Sequence, residues 1–99
     1  MYRMKPAGAD LDYPIAWELA EDDTITVSTW RVEPIGEPQA GDLQVVPGSE
    51  TISGAVTACM LTGGVSGRRY RVINRVTTAQ GRTDERSQLI RIGQVEVLT

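Results

Sequence analysis

The chain has 99 residues, of which 40% are hydrophobic and 23% charged, and its formal net charge is −3. This length indicates one domain, which buries roughly 60–65% of the surface of its unfolded chain. Histidine is absent and Cys59 is the sole cysteine, which excludes an intrachain disulfide, the usual Cys/His zinc sites and the commonest general base. We therefore expect no metal and no cofactor.

No membrane or export signal is expected. The first ten residues, MYRMKPAGAD, contain no apolar h-region, so we expect no secretory signal. The apolar runs are a few residues long, far below the roughly 20 residues that span a bilayer.

Charge is unevenly distributed along the chain. Residues 1–67 carry three basic and ten acidic side chains, whereas residues 68–91 carry seven arginines, no lysine and two acidic side chains. A domain with an acidic part and a basic part favours a charge-complementary partner or a copy of itself, placed head to tail. The alternative is that both sets of charges lie on solvated faces of one fold.

The first third of the sequence predicts two strands. Every second residue of 11–17 is apolar, and Pro14 within this strand indicates a sheet edge or a bulge. Residues 18–23 are long enough for a single helical turn. Residues 23–32 form the second strand, and a change in the parity of its apolar residues predicts a β-bulge near Ser28–Thr29.

The rest of the chain predicts short strands separated by turns. The segment 33–50 is rich in proline and glycine, and a connection this long is often functional or ordered by a partner. Residues 68–78 alternate between apolar residues and arginines, which predicts one buried face and one arginine-rich outer face. The further predicted strands are 43–46, 51–52, 55–61 and 87–92, with a turn at 79–81.

About seven strands at spacings of roughly 8–12 residues are typical of an immunoglobulin-like β-sandwich. Tyr70 follows a glycine-rich turn, where such folds place a tyrosine whose hydroxyl bonds to upstream backbone. We predict an all-β, immunoglobulin-like sandwich of antiparallel strands over residues 10–92, with an N-terminal arm of residues 1–9 and a C-terminal tail of residues 93–99. The alternating Val95 and Val97 predict that this tail can add to a sheet edge.

No group of residues fits a catalytic or phosphate-binding site. Serine and threonine lack a histidine partner, and Lys5, the one lysine, lies in the arm. Paired acids such as Asp22–Asp23 are typical of solvated turns. The sequence GGVSGRR lacks the Lys-Ser/Thr ending of a phosphate-binding loop. We expect no enzymatic activity.

The arginines of residues 68–91 raise two binding hypotheses. Nucleic acid is disfavoured, because the chain is net acidic and no aromatic residue for base stacking lies on the arginine-bearing face. Arginine is enriched in protein interfaces, where its planar fork pairs with carboxylates. Asp84 is expected to lie between Arg82 and Arg86 on one strand face and to orient both. The predicted protein interface comprises Arg69, Arg71, Arg75, Arg82, Asp84 and Arg86. The alternative is a solvated hairpin with ordinary surface ion pairs.

Three segments resemble a family of small virion proteins of tailed bacteriophages, the phage fiber-tail adaptor proteins. The segments are LDYPIAW, DTITVSTWRVEP and TGGVSGRRYRVINRVTTAQGRTDERSQLIRI, and the resemblance covers most of residues 10–92. The residues at the motif positions are Leu11, Asp12, Tyr13, Ile15, Trp17, Asp23, Thr24, Ile25, Ser28, Trp30, Gly63, Gly64, Gly67, Tyr70, Val72, Asn74, Val76, Thr77, Thr78, Gly81, Arg82, Arg86 and Ser87.

The resemblance implies an immunoglobulin-like fold and a non-enzymatic role in the virion. We therefore predict a multi-copy adaptor that joins the tail, or the neck, to fibers or neighbouring tail proteins. Its partners would be other virion proteins and copies of itself in a symmetric ring, without nucleic acid or membrane. It would be made in the host cytoplasm and reside in the tail or head–tail junction. The alternatives are a decoration or adhesion module that binds host glycan or envelope, and an assembly factor absent from the finished particle.

Overall fold

Two β-sheets face each other in a computed structural model that describes the backbone of residues 2–6 and all of residues 10–93. These residues form eight strands and no helix, and therefore contain no helix that could span a membrane. The strands are β1 (Tyr2–Pro6), β2 (Leu11–Ala16), β3 (Ile25–Pro34), β4 (Gln44–Val45), β5 (Thr51–Ser53), β6 (Val56–Thr62), β7 (Arg69–Thr78) and β8 (Thr83–Gly93).

The first sheet has the order β1-β8-β7-β3, and the second has the order β2-β6-β4, with β5 also paired to β6. All pairings are antiparallel except that of β1 with β8, which is parallel. Residues 2–6, expected in the N-terminal arm, thus form an edge strand of the first sheet. The predicted β-sandwich is confirmed, whereas its immunoglobulin-like character and the sheet-edge role of Val95 and Val97, which lie outside the described residues, stay predictions.

Two local predictions in the first third were wrong. Residues 18–23 form a loop with a turn at 21–22 instead of a helical turn. Asp22 there has φ +64°, a left-handed conformation that interrupts a helix and that aspartate tolerates.

The β-bulge of β3 lies between Ile25 and Val27 instead of at Ser28–Thr29. As a result Ile25 and Trp30 face the second sheet, while Val27 points to solvent with 51% exposure. Ser28 takes the inward position on β3 that the sequence predicted for Val27. In this position Ser28 Oγ accepts a hydrogen bond from Asn74.

The alternation predicted for β7 is confirmed. Tyr70, Val72 and Val76 are buried on the inner face, while Arg69, Arg71 and Arg75 are exposed on the outer face. The hydrophobic core comprises two clusters between the sheets. The larger contains Tyr13, Leu43, Cys59, Leu61, Tyr70, Val72, Ile90 and Ile92, and the smaller contains Trp17, Ile25 and Val76.

A chain of buried polar groups crosses the core at Asn74. The Trp17 indole N–H donates to Thr57 Oγ1 at 3.0 Å, and Thr57 Oγ1 donates to Asn74 Oδ1 at 2.6 Å. Asn74 Nδ2 then donates to Ser28 Oγ at 2.9 Å and to the Thr29 carbonyl at 3.0 Å. Thr57 and Asn74 are fully buried, so each of these bonds replaces water that the core excludes.

Replacing Asn74 with alanine should lower the free energy of unfolding by about 1–3 kcal/mol, because the buried hydroxyls and the Thr29 carbonyl lose their partner. Urea unfolding followed by tryptophan fluorescence measures this change. The control Gln44→Ala, on the exposed face of β4, should change stability by less than about 0.5 kcal/mol. Equal effects of the two substitutions would show that the polar chain contributes nothing to stability.

Candidate protein interface

The six residues of the predicted interface are all exposed, but they do not share one face. Arg69, Arg71 and Arg75 lie on the outer face, which we define as the side of the first sheet turned away from the second sheet. Asp84 and Arg86 have the opposite parity on β8, opposite the inward residues Val76 and Asn74. Arg82 precedes β8 in the turn after β7. The interface role of these residues stays a prediction.

The half of the outer face nearest the β7–β8 turn is internally neutralised. Glu85 Oε1 lies 3.5 Å from Arg31 Nη2, and Glu85 Oε2 lies 3.9 Å from Arg75 Nη1. Arg31 Nε is also 3.8 Å from Glu33 Oε1. The Arg31–Glu85 pair spans from β3 to β8 across β7, where Ile73 is only 2% exposed despite its outward parity.

The other half of the outer face carries more positive than negative charge, with Glu33 on β3 as the cross-strand partner of Arg71. Arg69 on β7 is the direct cross-strand partner of Arg91 on β8, and Arg71 follows two residues after Arg69 on the same face. Among the described residues, no carboxylate forms an ion pair within 4.0 Å of any of these three arginines. Like charges directly opposite each other on a sheet are destabilising. We call Arg69, Arg71 and Arg91 the arginine cluster.

The expectation that Asp84 orients Arg82 and Arg86 was wrong for the isolated chain. Asp84 Oδ1 accepts the Glu85 amide at 2.8 Å, and no ion pair of Asp84 occurs in residues 10–93. Arg86 contacts the second sheet: its guanidinium lies 4.8 Å from the centroid of the Trp17 ring, and Nη1 donates to the Ala16 carbonyl at 3.1 Å. Arg86 therefore helps to close the sandwich edge between β2 and β8.

Beside the arginine cluster, a network around Asp42 holds the long connection 33–50 against the sandwich. Asp42 Oδ1 accepts the Tyr70 hydroxyl at 2.7 Å and Arg68 Nη1 at 2.8 Å, while Oδ2 accepts the Gln39 amide at 2.9 Å. The Val65 amide donates to the Tyr70 hydroxyl at 3.0 Å, which confirms the predicted bond of Tyr70 to upstream backbone. Arg68 is thereby held away from the cluster.

The electrostatics of this network follow from its partners. The Gln39 amide, the Tyr70 hydroxyl and the Arg68 guanidinium outweigh the effect of burial and hold the pKa of Asp42 below its ordinary value of 3.8. Burial, reinforced by the Asp42 carboxylate, raises the pKa of Tyr70. Asp42 is therefore ionised and Tyr70 neutral at physiological pH, as their hydrogen bond requires.

The turn before β7 is packed too closely for any residue but glycine at position 64. A Cβ at Gly64 would lie 2.6 Å from Ile92 Cδ1, and its φ is +106°. The Gly64 amide also donates to the Gly41 carbonyl at 2.8 Å. This close approach fixes the connection, the turn and the end of β8 in one arrangement, next to the arginine cluster.

Residues 10–93 contain neither a cluster of metal ligands nor an exposed cysteine. No group of three or more Cys, Asp or Glu residues there is placed to hold a metal ion. Cys59 is buried, and burial raises its pKa to about 12, so its thiol is not a nucleophile near neutral pH.

Arg91 of the cluster and Glu85, which pairs with Arg75, were not among the residues predicted from the sequence. The alternation of residues along β8 indicates that Arg91 faces outward. Its pairing with Arg69, however, depends on the register between β7 and β8. That register could not be fixed while β8 was predicted to begin at residue 87 instead of Thr83.

A family model described as podophage GP4 fiber-tail adaptor protein gp77 matches residues 5–91. The chain belongs to this family. The match confirms the resemblance found in the three sequence segments. A search of curated proteins finds no match.

Membership in the fiber-tail adaptor family has direct consequences for function. It supports a structural role in the virion and association with other tail or fiber proteins. The exposed arginines of the first sheet agree with such an association.

Replacing Asp42 with asparagine should flatten the acid dependence of the adaptor's stability. Because the pKa of Asp42 is lower in the folded chain than in the unfolded chain, the unfolded chain binds more protons as the pH falls through and below 3.8. The stabilisation from ionised Asp42 is therefore present above this range and lost below it. Urea unfolding between about pH 2 and 7 measures the effect. An equally steep loss of stability in Asp42→Asn would contradict the assignment.

Proposed function

We propose that the protein is a multi-copy structural adaptor that joins the phage tail, or neck, to fibers or neighbouring tail proteins. It docks through the outer face of the first sheet onto an acidic protein surface. Its copies form a symmetric ring in the virion, after synthesis in the host cytoplasm, and it has no enzymatic activity. Family membership supports the adaptor role, and the arginine cluster supports the docking surface.

The arginine cluster carries this proposal. Arg75 lies 3.9 Å from Glu85, whereas Arg69, Arg71 and Arg91 form no ion pair within 4.0 Å among the described residues, although Glu33 is the cross-strand partner of Arg71. A partner carboxylate would relieve the repulsion between Arg69 and Arg91 and form charge-assisted hydrogen bonds. The isolated domain thus gains electrostatic stability when an acidic surface covers the cluster.

The same face is poorly suited to nucleic acid or glycan. Binding of single-stranded nucleic acid uses exposed aromatic rings for stacking. The described aromatic side chains lie on the inner side of the sandwich, where Tyr13, Trp17 and Tyr70 are buried and Trp30 packs edge-on against Tyr13 at 5.7 Å. A protein surface with carboxylates is the partner that matches the exposed guanidinium groups.

Replacing both Arg69 and Arg71 with glutamine should prevent incorporation of the adaptor into phage particles while the domain stays folded. The matched control is Arg31→Gln with Arg75→Gln, which removes the same charge from the same face but from side chains already paired with Glu85. Particles assembled with each variant are purified, and the adaptor is quantified by mass spectrometry.

We expect the cluster variant to be depleted at least about tenfold, since loss of two charged contacts at an interface weakens binding by more than one order of magnitude. Its melting temperature should be unchanged or raised, because the repulsion from Arg91 is relieved. Equal incorporation of the two variants would contradict docking through the cluster.

A further inference from the structure

The end of the sandwich opposite the arginine cluster is acidic. The loop between β2 and β3 meets the turn between β7 and β8 there, since the Ala79 amide donates to the Thr24 carbonyl at 2.8 Å. This loop has four carboxylates within six residues, namely Glu18, Glu21, Asp22 and Asp23. The cluster lies at the other end of the same strands, about 30 Å away, because β7 rises about 3.3 Å per residue from Arg69 to Thr78.

A cleft of about 170 Å³ opens at this acidic end, beside Asp23. Its inner walls include the apolar side chains of Trp17, Leu19 and Val76, and its rim includes the exposed residues Glu18 and Asp84. Arg82 also lies at the rim. We call this cavity the Asp23 cleft. Its volume suits one long side chain, since a cavity of roughly 150 Å³ accommodates a benzene-sized group.

Within the described residues, only one oxygen of the Asp23 carboxylate accepts close hydrogen bonds. The residue is 8% exposed, and its Oδ1 accepts the amides of Thr24 at 2.9 Å and Gln80 at 3.1 Å. Its second oxygen, Oδ2, is enclosed and makes no close hydrogen bond among the described residues, although the Thr78 hydroxyl lies near the carboxylate and stabilises its charge. A buried carboxylate oxygen without a partner is costly and calls for a donor.

The carboxylate is charged at neutral pH. Burial raises the pKa of Asp23, but the neighbouring Thr78 hydroxyl, the amides of Gln80 and Thr24 and the charge of Arg82 outweigh burial and hold the pKa below its ordinary value of 3.8. Arg82 acts at a distance, because no basic side chain in residues 10–93 forms an ion pair with Asp23 within 4.0 Å.

The chemistry of the cleft matches an arginine side chain. A metal ion is a poor fit, because the carboxylates of residues 10–93 are not clustered in a set of three or more that could ligate one. A guanidinium group supplies N–H donors to the exposed Glu18 and Asp84 and brings its positive charge beside Asp23, and its aliphatic stem can pack on Leu19 and Val76. An arginine from outside thus satisfies both the charge and the apolar wall.

We propose that the Asp23 cleft receives an arginine of a second copy of this chain, supplied by that copy's arginine cluster. The arginine cluster and the buried Asp23 carboxylate lie at opposite ends of one sandwich, so each copy presents one end to the next. Such a head-to-tail contact is heterologous, and it generates a ring when its rotation closes. The proposal deepens the proposed function, on which its multi-copy arrangement rests, by naming the surfaces that join the copies.

A charge-swap experiment tests the contact on the full chain. One variant, Glu18→Arg with Asp84→Arg, is basic at both ends, and the other, Arg69→Glu with Arg71→Glu, is acidic at both ends. All four residues are exposed, so both variants should fold, which circular dichroism checks. Sedimentation velocity at low salt measures the association of the parent, of each variant alone and of the equimolar mixture.

The parent should associate with increasing concentration, each variant alone should stay monomeric, and the mixture should associate again. Raising the salt to about 0.5 M should weaken association, since screening shortens the reach of surface charges. A monomeric mixture, a variant that associates alone like the parent, or a parent that is monomeric at all concentrations would each overturn the proposal.

A second pair of variants tests the cleft itself. Asp23→Asn keeps an oxygen for the amides of Thr24 and Gln80 but removes the charge, and it should raise the dissociation constant of association at least about tenfold. Asp22→Asn is the control, because it makes the same charge change one residue away on an exposed side chain, and asparagine tolerates its φ of +64°. Equal effects of the two would overturn the cleft as the binding site.

The outcomes separate this inference from the proposed function. Loss of Arg69→Gln/Arg71→Gln from particles, together with a monomeric charge-swap mixture, would leave the docking surface intact and reject only the contact between copies. Association of the mixture together with normal incorporation of that glutamine variant would leave the contact between copies intact and reject the docking surface.

Discussion

The hydrogen bonds of Asn74 are the constraint on which the rest of the sandwich depends. This single amide lies where β7 is covered by the second sheet, and it connects β3 with Thr57 on β6 and, through Thr57, with the Trp17 indole. Both Nδ2 hydrogens are used and the carbonyl oxygen is bonded, so the buried network is satisfied at its centre. A satisfied polar network in a core selects one register, because a slip of any strand would leave several groups unpaired.

That register determines the distribution of charge on the outer face. With Asn74 facing inward, the arginines at odd positions of β7 face outward, and the pairing with β8 places Glu85 beside Arg75 and Arg91 beside Arg69. One half of the face therefore carries the ion pairs of Glu85, whereas Arg69, Arg71 and Arg91 in the other half form no ion pair within 4.0 Å among the described residues.

The sequence predicted the β-sandwich, the two faces of β7 and the role of the Tyr70 hydroxyl, because alternation and turn residues are local signals. The bulge in β3 was placed two to three residues too late, since the parity change of its apolar residues does not show that Ser28, a partner of Asn74, must face inward. The interface residues were drawn from one arginine-rich segment, yet Arg86 packs on Trp17, distant in sequence. The environment of the Asp23 carboxylate depends on the contact between its loop and the turn at Gln80, 57 residues later in the sequence. A local sequence pattern cannot predict such a contact.

The enclosure of Cys59 has a consequence for durability. A phage particle leaves the reducing interior of its host and waits in aerated surroundings, where exposed thiols oxidise or cross-link neighbouring subunits. The sulfur of Cys59 is shut between the sheets and, with its pKa raised to about 12, forms almost no thiolate at neutral pH. The single thiol of the domain is therefore protected from oxidation by its burial.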